Sequence, residues 1–509
     1  MNRILSILSN SKDVFFYTFA FGIVAHGFVF FNEFFSHDSL YFHPLNEFAI
    51  GLGRWGQTFL FNIRGEVFPP ALIGLLSLFF LALSISLFLD LFKIQKKIHV
   101  IIVCGTLSTS FVFTIIAATY ISFLDVNMLA FLFIILSCFA IKNLKRVIWK
   151  VIIASLLLCL AISLYQTYFQ VYTLLCCLFV LFSCMNGKNF KDIVEDIGVY
   201  FAVLVIALVL YKLSVLISLR VTSVHSLYTS YNSIKDVEKF QSLAQLILLI
   251  LESAPYLLKK VAEYPTYFST STKIELLLVN ICIAVYLIYQ QTKHNKIRML
   301  FCQLIFLIFI PFSANTVYIL SKGLMHDCMK YSYSVFMLVP LLVAINVKNN
   351  DKSISLKKIN IFSIIMCSVL GLLIISNTIF SNQAYLKKEL ESKSSLSIAT
   401  RILDRIEMLP GFIPNKTKVC FIGDANKNPY FIFDRFNLEG KKKRATGLST
   451  YVSFTYDTYQ YYKSIMGINL PYCDMSKLST DYVLNMPFYP SLNSVQFLEG
   501  QVVVKLSDD

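Results

Sequence analysis

PALIGLLSLFFLALSISLFLDL, residues 70–91, carries a single charge, Asp90, in 22 positions. Wound as an α-helix at about 1.5 Å per residue it is roughly 33 Å long, the thickness of the hydrocarbon core of a bilayer. A surface helix of a soluble protein would show a polar face, and this run has none. The residues that follow, FKIQKK at 92–97, bring three lysines together, so the apolar run stops at a charged edge.

The pattern recurs near 14–31, 99–119, 127–141, 148–164, 169–185, 197–219, 274–290, 299–320, 331–346 and 359–380, which makes eleven candidate transmembrane helices. Composition agrees. Hydrophobic residues make up 56% of the 509 and charged residues 15%, and mean hydropathy is +0.66, more apolar surface than one water-soluble core can hide. With 18 Gly and 13 Pro the chain is no low-complexity linker. The fold class is mainly α: a polytopic membrane protein with a small α/β domain at its carboxyl end.

The net charge of +15 does not point to nucleic acid, because the basic residues sit in short clusters between apolar runs rather than on one long face. They orient the chain instead. Alternate loops carry Lys93, Lys96, Lys97; Lys142, Lys145, Arg146, Lys150; Lys188, Lys191; Lys293, Lys296, Arg298; and Lys348, Lys352, Lys357, Lys358. Those sixteen face four acids, Asp192, Glu195, Asp196 and Asp351, while the opposing short loops 121–126 and 165–169 hold no Lys or Arg. Positive loops stay in the cytoplasm. The amino terminus is therefore expected inside, and eleven crossings leave the carboxyl terminus outside, with 32–69, 220–273 and 381–509 as external pieces. The first span has Arg3 and Lys12 before it and no small-residue cleavage pattern after it, so it reads as an uncleaved anchor.

Most of the twelve cysteines lie in or beside spans, where Cys packs as a small hydrophobe, and none forms a metal-ligand pattern. Cys420 and Cys473 lie in the tail, where an oxidising compartment would permit a disulfide. The chain divides into a membrane domain, 1–380, and a tail domain, 381–509. In the tail, Ile398, Ile402, Ile406 and Leu409 repeat at helical spacing ahead of Pro410 and Gly411, and 418–424, 481–486 and 501–506 read as short buried strands. Tyr451, Phe454, Tyr456, Tyr459, Tyr461 and Tyr462 form either a stacking platform for sugar or an aromatic core. The basic run 441–444 reads as a solvated loop or a contact for anionic saccharide.

The sharper chemistry lies in the first external segment, FFNEFFSHDSLYFHPLNEFAIGLGRWGQTFLFNIRGEVFPP at 30–70. Glu33 and Asp38 stand just beyond the first span, where a carboxylate can serve as a general base or be solvated or paired with Arg54 or Arg64. Arg54 and Trp55 sit between Gly53 and Gly56; the guanidinium fork suits a phosphate, and the indole suits a sugar or the membrane interface. Asp125 is a second external acid, and with Asp38 it can orient an acceptor hydroxyl or hold a divalent cation through oxygen ligands. Lys212 near the outer end of the seventh span, and Lys322, His326 and Lys330 between the ninth and tenth, are external basic groups that suit a lipid phosphate or snorkel to the interface. Tyr165, Gln166 and Tyr168 offer uncharged hydrogen-bonding groups for a sugar or a helix–helix tie.

The first-loop acids, GRW at 53–55, LDVN at 124–127, SLYQTY at 163–168 and the external α/β tail together resemble the serotype-converting O-antigen glucosyltransferases. The resemblance implies a C-type glycosyltransferase fold in the bacterial inner membrane, with its active site at the outer face. It implies polyprenyl-phosphate-glucose as donor, O-antigen polysaccharide as acceptor, membrane lipids as surroundings and no nucleic acid. In that family the acid of the first external loop is the expected base; Asp38, within HDS at 37–39, is the matching position, with Glu33 close by. Arg54, helped by Lys322, Lys330, His326 or Lys212, would hold the donor phosphate, and Trp55, Gln166 and Tyr168 the substrate. No cofactor is required by the sequence. The competing class is a lipid-linked-sugar flippase or other transporter; it would place ionisable residues at midplane and show paired halves, and neither is visible.

Overall fold

The computed structural model describes residues 7, 11–33, 45–65, 69–225, 243–263, 270–350, 356–431, 454, 457–474 and 480–508. Among them, eleven helices are long and apolar enough to cross a membrane: Lys12–Phe30, Pro70–Leu91, Lys97–Thr119, Ile121–Asn143, Val147–Leu164, Gln166–Met185, Phe190–Thr222, Thr272–Thr292, Lys296–Ala314, Tyr331–Lys348 and Asn360–Glu407. These are the eleven runs read from the sequence. The chain is a multi-pass membrane protein. The fourth and sixth spans start earlier than their apolar runs because 3₁₀ turns, Ile121–Phe123 and Gln166–Tyr168, lead into them.

Contacts between helices divide the chain into two units, one ending at Asn382 and a second running from Gln383 to Asp509, with Asn32, Glu33 and Ala118–Tyr120 among the second's described residues. Within the first unit, neighbouring spans form a continuous row. The seventh packs on the fifth, the fifth on the fourth, the fourth on the second, the second on the first, and the first on the third. The sixth packs against the ninth and tenth, and the tenth against the eighth.

Three features of the first unit lie outside simple apolar runs. Two short helices, α1 (Leu45–Gly51) and α2 (Gln57–Arg64), make a hairpin between the first and second spans. A third, α3 (Leu243–Glu263), precedes the eighth span. Its buried side holds Leu249, Ser253, Leu257 and Val261, while Ile247, Leu248, Leu251 and Leu258 are exposed. A broad apolar arc, part buried and part exposed, opposite Glu252, Lys259, Lys260 and Glu263 suits a helix lying between protein and lipid. Finally, the third span is broken. Its first helical piece ends at Ser108 and its second starts at Phe111.

The eleventh span does not stop at residue 380. A single helix, Leu356–Glu407, continues into the second unit and absorbs the segment around Ile398 that the sequence marked as a separate helix. No Pro or Gly interrupts 372–407, so nothing ends the helix before Pro410 and Gly411. In that second unit, β1 (Val419–Ile422), β2 (Val495–Leu498) and β3 (Gln501–Lys505) form a sheet of order β1-β3-β2. β1 runs parallel to β3, with Val419 opposite Val502, and β2 antiparallel to it, with Val495 opposite Val504. Cys420 and Cys473 are joined in a disulfide. The expected strand at 481–486 is a correction: Thr480–Asn485 is a helix. Among the described side chains of 482–486 only Val483 and Met486 are buried, a three-residue spacing that a helix satisfies and a strand does not. Phe454, Tyr461 and Tyr462 are core residues, packed with Ile398, Ile402 and Val502, which decides their role in favour of packing. Tyr451, Tyr456 and the basic run 441–444 lie outside the described residues.

Candidate functional site

The site is built where the α1–α2 hairpin meets the turn between the fifth and sixth spans. α1 ends at Gly51, and Gly53 has φ +72°, a left-handed conformation that reverses the chain and that a side chain would strain. Arg54 and Trp55 follow at the tip. Gly56 comes so close to the fifth span that a Cβ there would lie 3.1 Å from the carbonyl carbon of Ser163, and its N–H donates to the Ser163 carbonyl at 3.1 Å. Gln57 adds a side-chain bond to the Leu164 carbonyl at 2.7 Å. The hairpin tip is therefore pinned by backbone contacts, which is what holds its two large side chains in place.

Arg54 donates through Nε to Gln166 Oε1 at 3.1 Å, and its guanidinium carbon stands 4.7 Å from the centre of the Tyr165 ring. Gln166 in turn donates to the Leu52 carbonyl at 2.8 Å and to the Tyr211 hydroxyl at 3.0 Å, and Tyr211 donates to the Gly53 carbonyl at 3.1 Å. Trp55 Nε1 donates to Ser214 Oγ at 2.9 Å. Arg54, Trp55 and Gln166, three residues marked from the sequence, thus form one network that also takes in Tyr165. Among the described residues neither Nη of Arg54 has a protein hydrogen-bond partner. A planar cation gripped on one edge and one face, with its fork left over, is organised to receive an anion.

The turn between the ninth and tenth spans closes on the same corner. Cys328 Sγ lies 3.6 Å from the Tyr165 hydroxyl, and Gln170 donates to the Met329 carbonyl. Tyr168 is buried and stacks on Tyr331 at 5.6 Å between ring centres. The cations of that turn are not alike. Lys330 is buried and paired with Asp327 at 2.6 Å, over the Tyr256 ring, whereas Lys322 is half-buried and His326 exposed. Lys212 is exposed.

Asp125 is fully buried and meets Arg64 Nε at 2.8 Å, the side chains being 0% and 2% exposed. Its other oxygen accepts the Val126 N–H at 2.9 Å, and Arg64 also donates to the Ser122 carbonyl at 2.6 Å. Burial lowers the pKa of the Arg64 guanidinium from its usual value, and the Asp125 charge opposes that shift. The pair fastens the end of α2 to the start of the fourth span. Both carboxylate oxygens are engaged, so Asp125 offers no open ligand to a cation, and the described residues hold no group of three or more acids, histidines or cysteines suited to one. Glu33 is exposed just past the first span. Asp38, the expected base, lies outside the described residues.

Sequence reading missed Tyr211, Ser214 and the Arg64–Asp125 pairing. Tyr211 had a signal: it is a hydroxyl inside an apolar run, one residue before the Lys212 that drew attention. The profile of the glucosyl transferase GtrII family matches residues 27–345, more than half of the chain. No curated protein and no solved structure matches it.

Proposed function

The chain belongs to the glucosyl transferase GtrII family, and from that premise we propose that it moves a glucosyl residue from polyprenyl-phosphate-glucose to a hydroxyl of O-antigen or lipopolysaccharide. The reaction takes place at the outer face of a bacterial inner membrane, with the amino terminus in the cytoplasm and the tail domain, 381–509, in the periplasm. Its biological outcome is serotype conversion. What supports the outer face is the charge bias of the alternate loops, sixteen basic residues to four acids.

The acceptor hydroxyl oxygen attacks the anomeric carbon, the bond from that carbon to the phosphate oxygen breaks, and its electron pair leaves with polyprenyl phosphate. Asp38 takes the hydroxyl proton, a contribution of about 10²- to 10⁴-fold. A single displacement inverts the anomeric centre. The observation that carries the reading is Arg54, whose edge and face are occupied while, among the described residues, its Nη groups are not. Charge that develops on the departing phosphate meets a cation already in position, so little reorganisation is required. Trp55, Gln166 and Tyr168 border the sugar, and Lys322, Lys330, His326 and Lys212 are the accessory cations. No step needs a metal.

Purified chain incubated with polyprenyl-phosphate-glucose and O-antigen, with and without chelator, tests this by the mass and linkage of the product. Asp38→Asn is expected to fold and to abolish transfer. Near-normal transfer by that variant moves the base to Glu33, and loss of transfer in chelator brings a cation into the mechanism.

A further inference from the structure

The polar residues of α3, LAQLILLILESAPYLLKKVAE at 243–263, fall on one stripe. At 100° per residue, Glu252, Tyr256, Lys259, Lys260 and Glu263 share about a quarter of the helix circumference, and from Glu252 to Glu263 the stripe is roughly 16 Å long. Glu252 and Lys259 are exposed, and the other three are half-buried. The helix is held to the bundle by its apolar arc and by bonds from the ninth span and the residues after it. Asn315 donates to the Ser253 carbonyl at 2.8 Å, and Tyr318 donates to Glu252 Oε2 at 3.3 Å.

The turn between the ninth and tenth spans runs beside this stripe. Tyr256 stacks on Tyr318 with ring centres 4.2 Å apart, and the ammonium groups of Lys260 and Lys330 each stand 5.6 Å from the centre of the Tyr256 ring. Lys330 is buried and committed to Asp327 Oδ1 at 2.6 Å, while the Asp327 side chain is 21% exposed. Its other oxygen, like Glu252 Oε1, has no partner among the described residues. A carboxylate tied on one side to a buried lysine is kept ionised and still, an acceptor already in position for a ligand. The next residue, Cys328, touches the Tyr165 hydroxyl, and Tyr165 carries Arg54 on its ring. Asp327 therefore stands between the stripe and the Arg54 corner.

Charge along this surface is balanced: Glu252, Glu263 and Asp327 against Lys259, Lys260 and Lys330. Helices that grip anionic lipid do so with an excess of Lys and Arg, which is missing here. What alternating acceptors and donors match is the hydroxyl group, which both gives and takes a hydrogen bond. A donor sugar offers its hydroxyls at one point, whereas a polysaccharide offers successive units along a line.

We propose that this stripe is the acceptor subsite: a saccharide chain lies along α3 with its hydroxyls on Glu252, Lys259 and Glu263, and Asp327 holds the unit that faces the Arg54 corner. The inference rests on the transferase reading, from which it takes the O-antigen acceptor as its ligand.

The test is saturation-transfer NMR on the full chain in detergent, without donor, titrating O-antigen fragments of one, two and three repeat units. Affinity is expected to rise with fragment length. Asp327→Asn should weaken every fragment about tenfold, and Asp327→Glu should retain most of the binding. Glu252→Gln combined with Lys259→Gln should weaken the longest fragment about tenfold and the shortest much less. That pair is exposed, so it covers the case in which Asp327→Asn, by stranding the buried Lys330, fails to fold. In the transfer assay the same variants should raise the acceptor KM and leave the donor KM unchanged, and Glu195→Gln in a lysine-rich loop should alter neither. Affinity independent of fragment length, acceptor constants unchanged in both Asp327→Asn and the double variant, or donor and acceptor KM moving together overturns the proposal. A parent chain that binds fragments in this graded way and transfers no glucose refutes the reaction instead and keeps the subsite.

Discussion

Removing the carboxylate of Asp125 separates a structural tie from a chemical role. At 2.8 Å the Arg64–Asp125 attraction is about 6 kcal/mol at an effective dielectric near 20, offset in the intact protein by the cost of burying both charges. Asp125→Leu keeps that cost for Arg64 and loses the attraction, so destabilisation of about 3–5 kcal/mol is expected, as for other buried pairs broken on one side. Arg64→Met combined with Asp125→Leu leaves no uncompensated charge and should recover most of the loss. Of the two tryptophans, Trp55 sits on the hairpin itself, so a Trp149→Phe background makes indole fluorescence in an SDS titration report the docking of this region. Sugar transfer is measured in parallel and should follow stability, absent in the single variant and regained in the double. An Asp125→Leu protein as stable as its parent would refute the tie. A double variant that is stable and inactive would give Asp125 a part in the chemistry.

Gln166→Leu removes the partner of Arg54 Nε, a tie to the hairpin at Leu52 and a tie to Tyr211 of the seventh span, and is expected to raise the donor KM about tenfold with a smaller effect on kcat; unchanged steady-state constants would take Gln166 out of the site. Arg54→Lys keeps the charge but not the fork, so kcat should fall ten- to a hundredfold in the transfer assay. Gly53→Ala places a Cβ at φ +72° and should cost about 1 kcal/mol in the same SDS titration. Reduction of the Cys420–Cys473 bridge, which closes a separation of 53 residues, releases about 4 kcal/mol of loop constraint and should make the tail protease-sensitive in the intact chain.

The spans were legible because bilayer thickness demands about twenty apolar residues in a row, and 70–91 or 99–119 meet that demand without reference to partners. What hydropathy cannot register is a polar residue that serves the backbone. Thr106 to Ser110 raise no alarm in a window average, yet they break the third span, and Lys273 passes as a flanking lysine until its burial is seen. α3 escaped because it is amphipathic, with Glu252, Lys259, Lys260 and Glu263 on one side, and so forms no uniformly apolar run. β2 had a readable marker: Glu499-Gly500, both at positive φ, is a two-residue turn between VQFL and QVVV, the signal of a hairpin. Of the site, Arg54, Trp55 and Gln166 were visible as polar groups out of place near the membrane. Their mutual bonds were not, since they join residues more than a hundred positions apart. Asp125 was noticed for its charge and matched to Asp38, but the partner that burial selects is the cation of Arg64.

The distribution of irregular backbone separates a transferase from a carrier on physical grounds. Alternating access needs polar groups near the midplane and a gate on each side of them. In this bundle the break at Ser110, the turn at Tyr165 and Gln166, and the break at Asn315, where the amide bonds the Ser253 carbonyl and accepts from Tyr333, fall toward the end that carries the hairpin. At the lysine-rich end, Asn186 bonds Asn346 and Gln291. Among the described residues the Nη groups of Arg54 and the hydroxyl of Thr106 have no hydrogen-bond partner, and the same holds for the buried Thr18 Oγ1, Asn280 Oδ1 and Gln291 Oε1. Irregular backbone gathered toward one end suits a group-transfer site at that face and gives the two gates of a carrier no counterpart at the other.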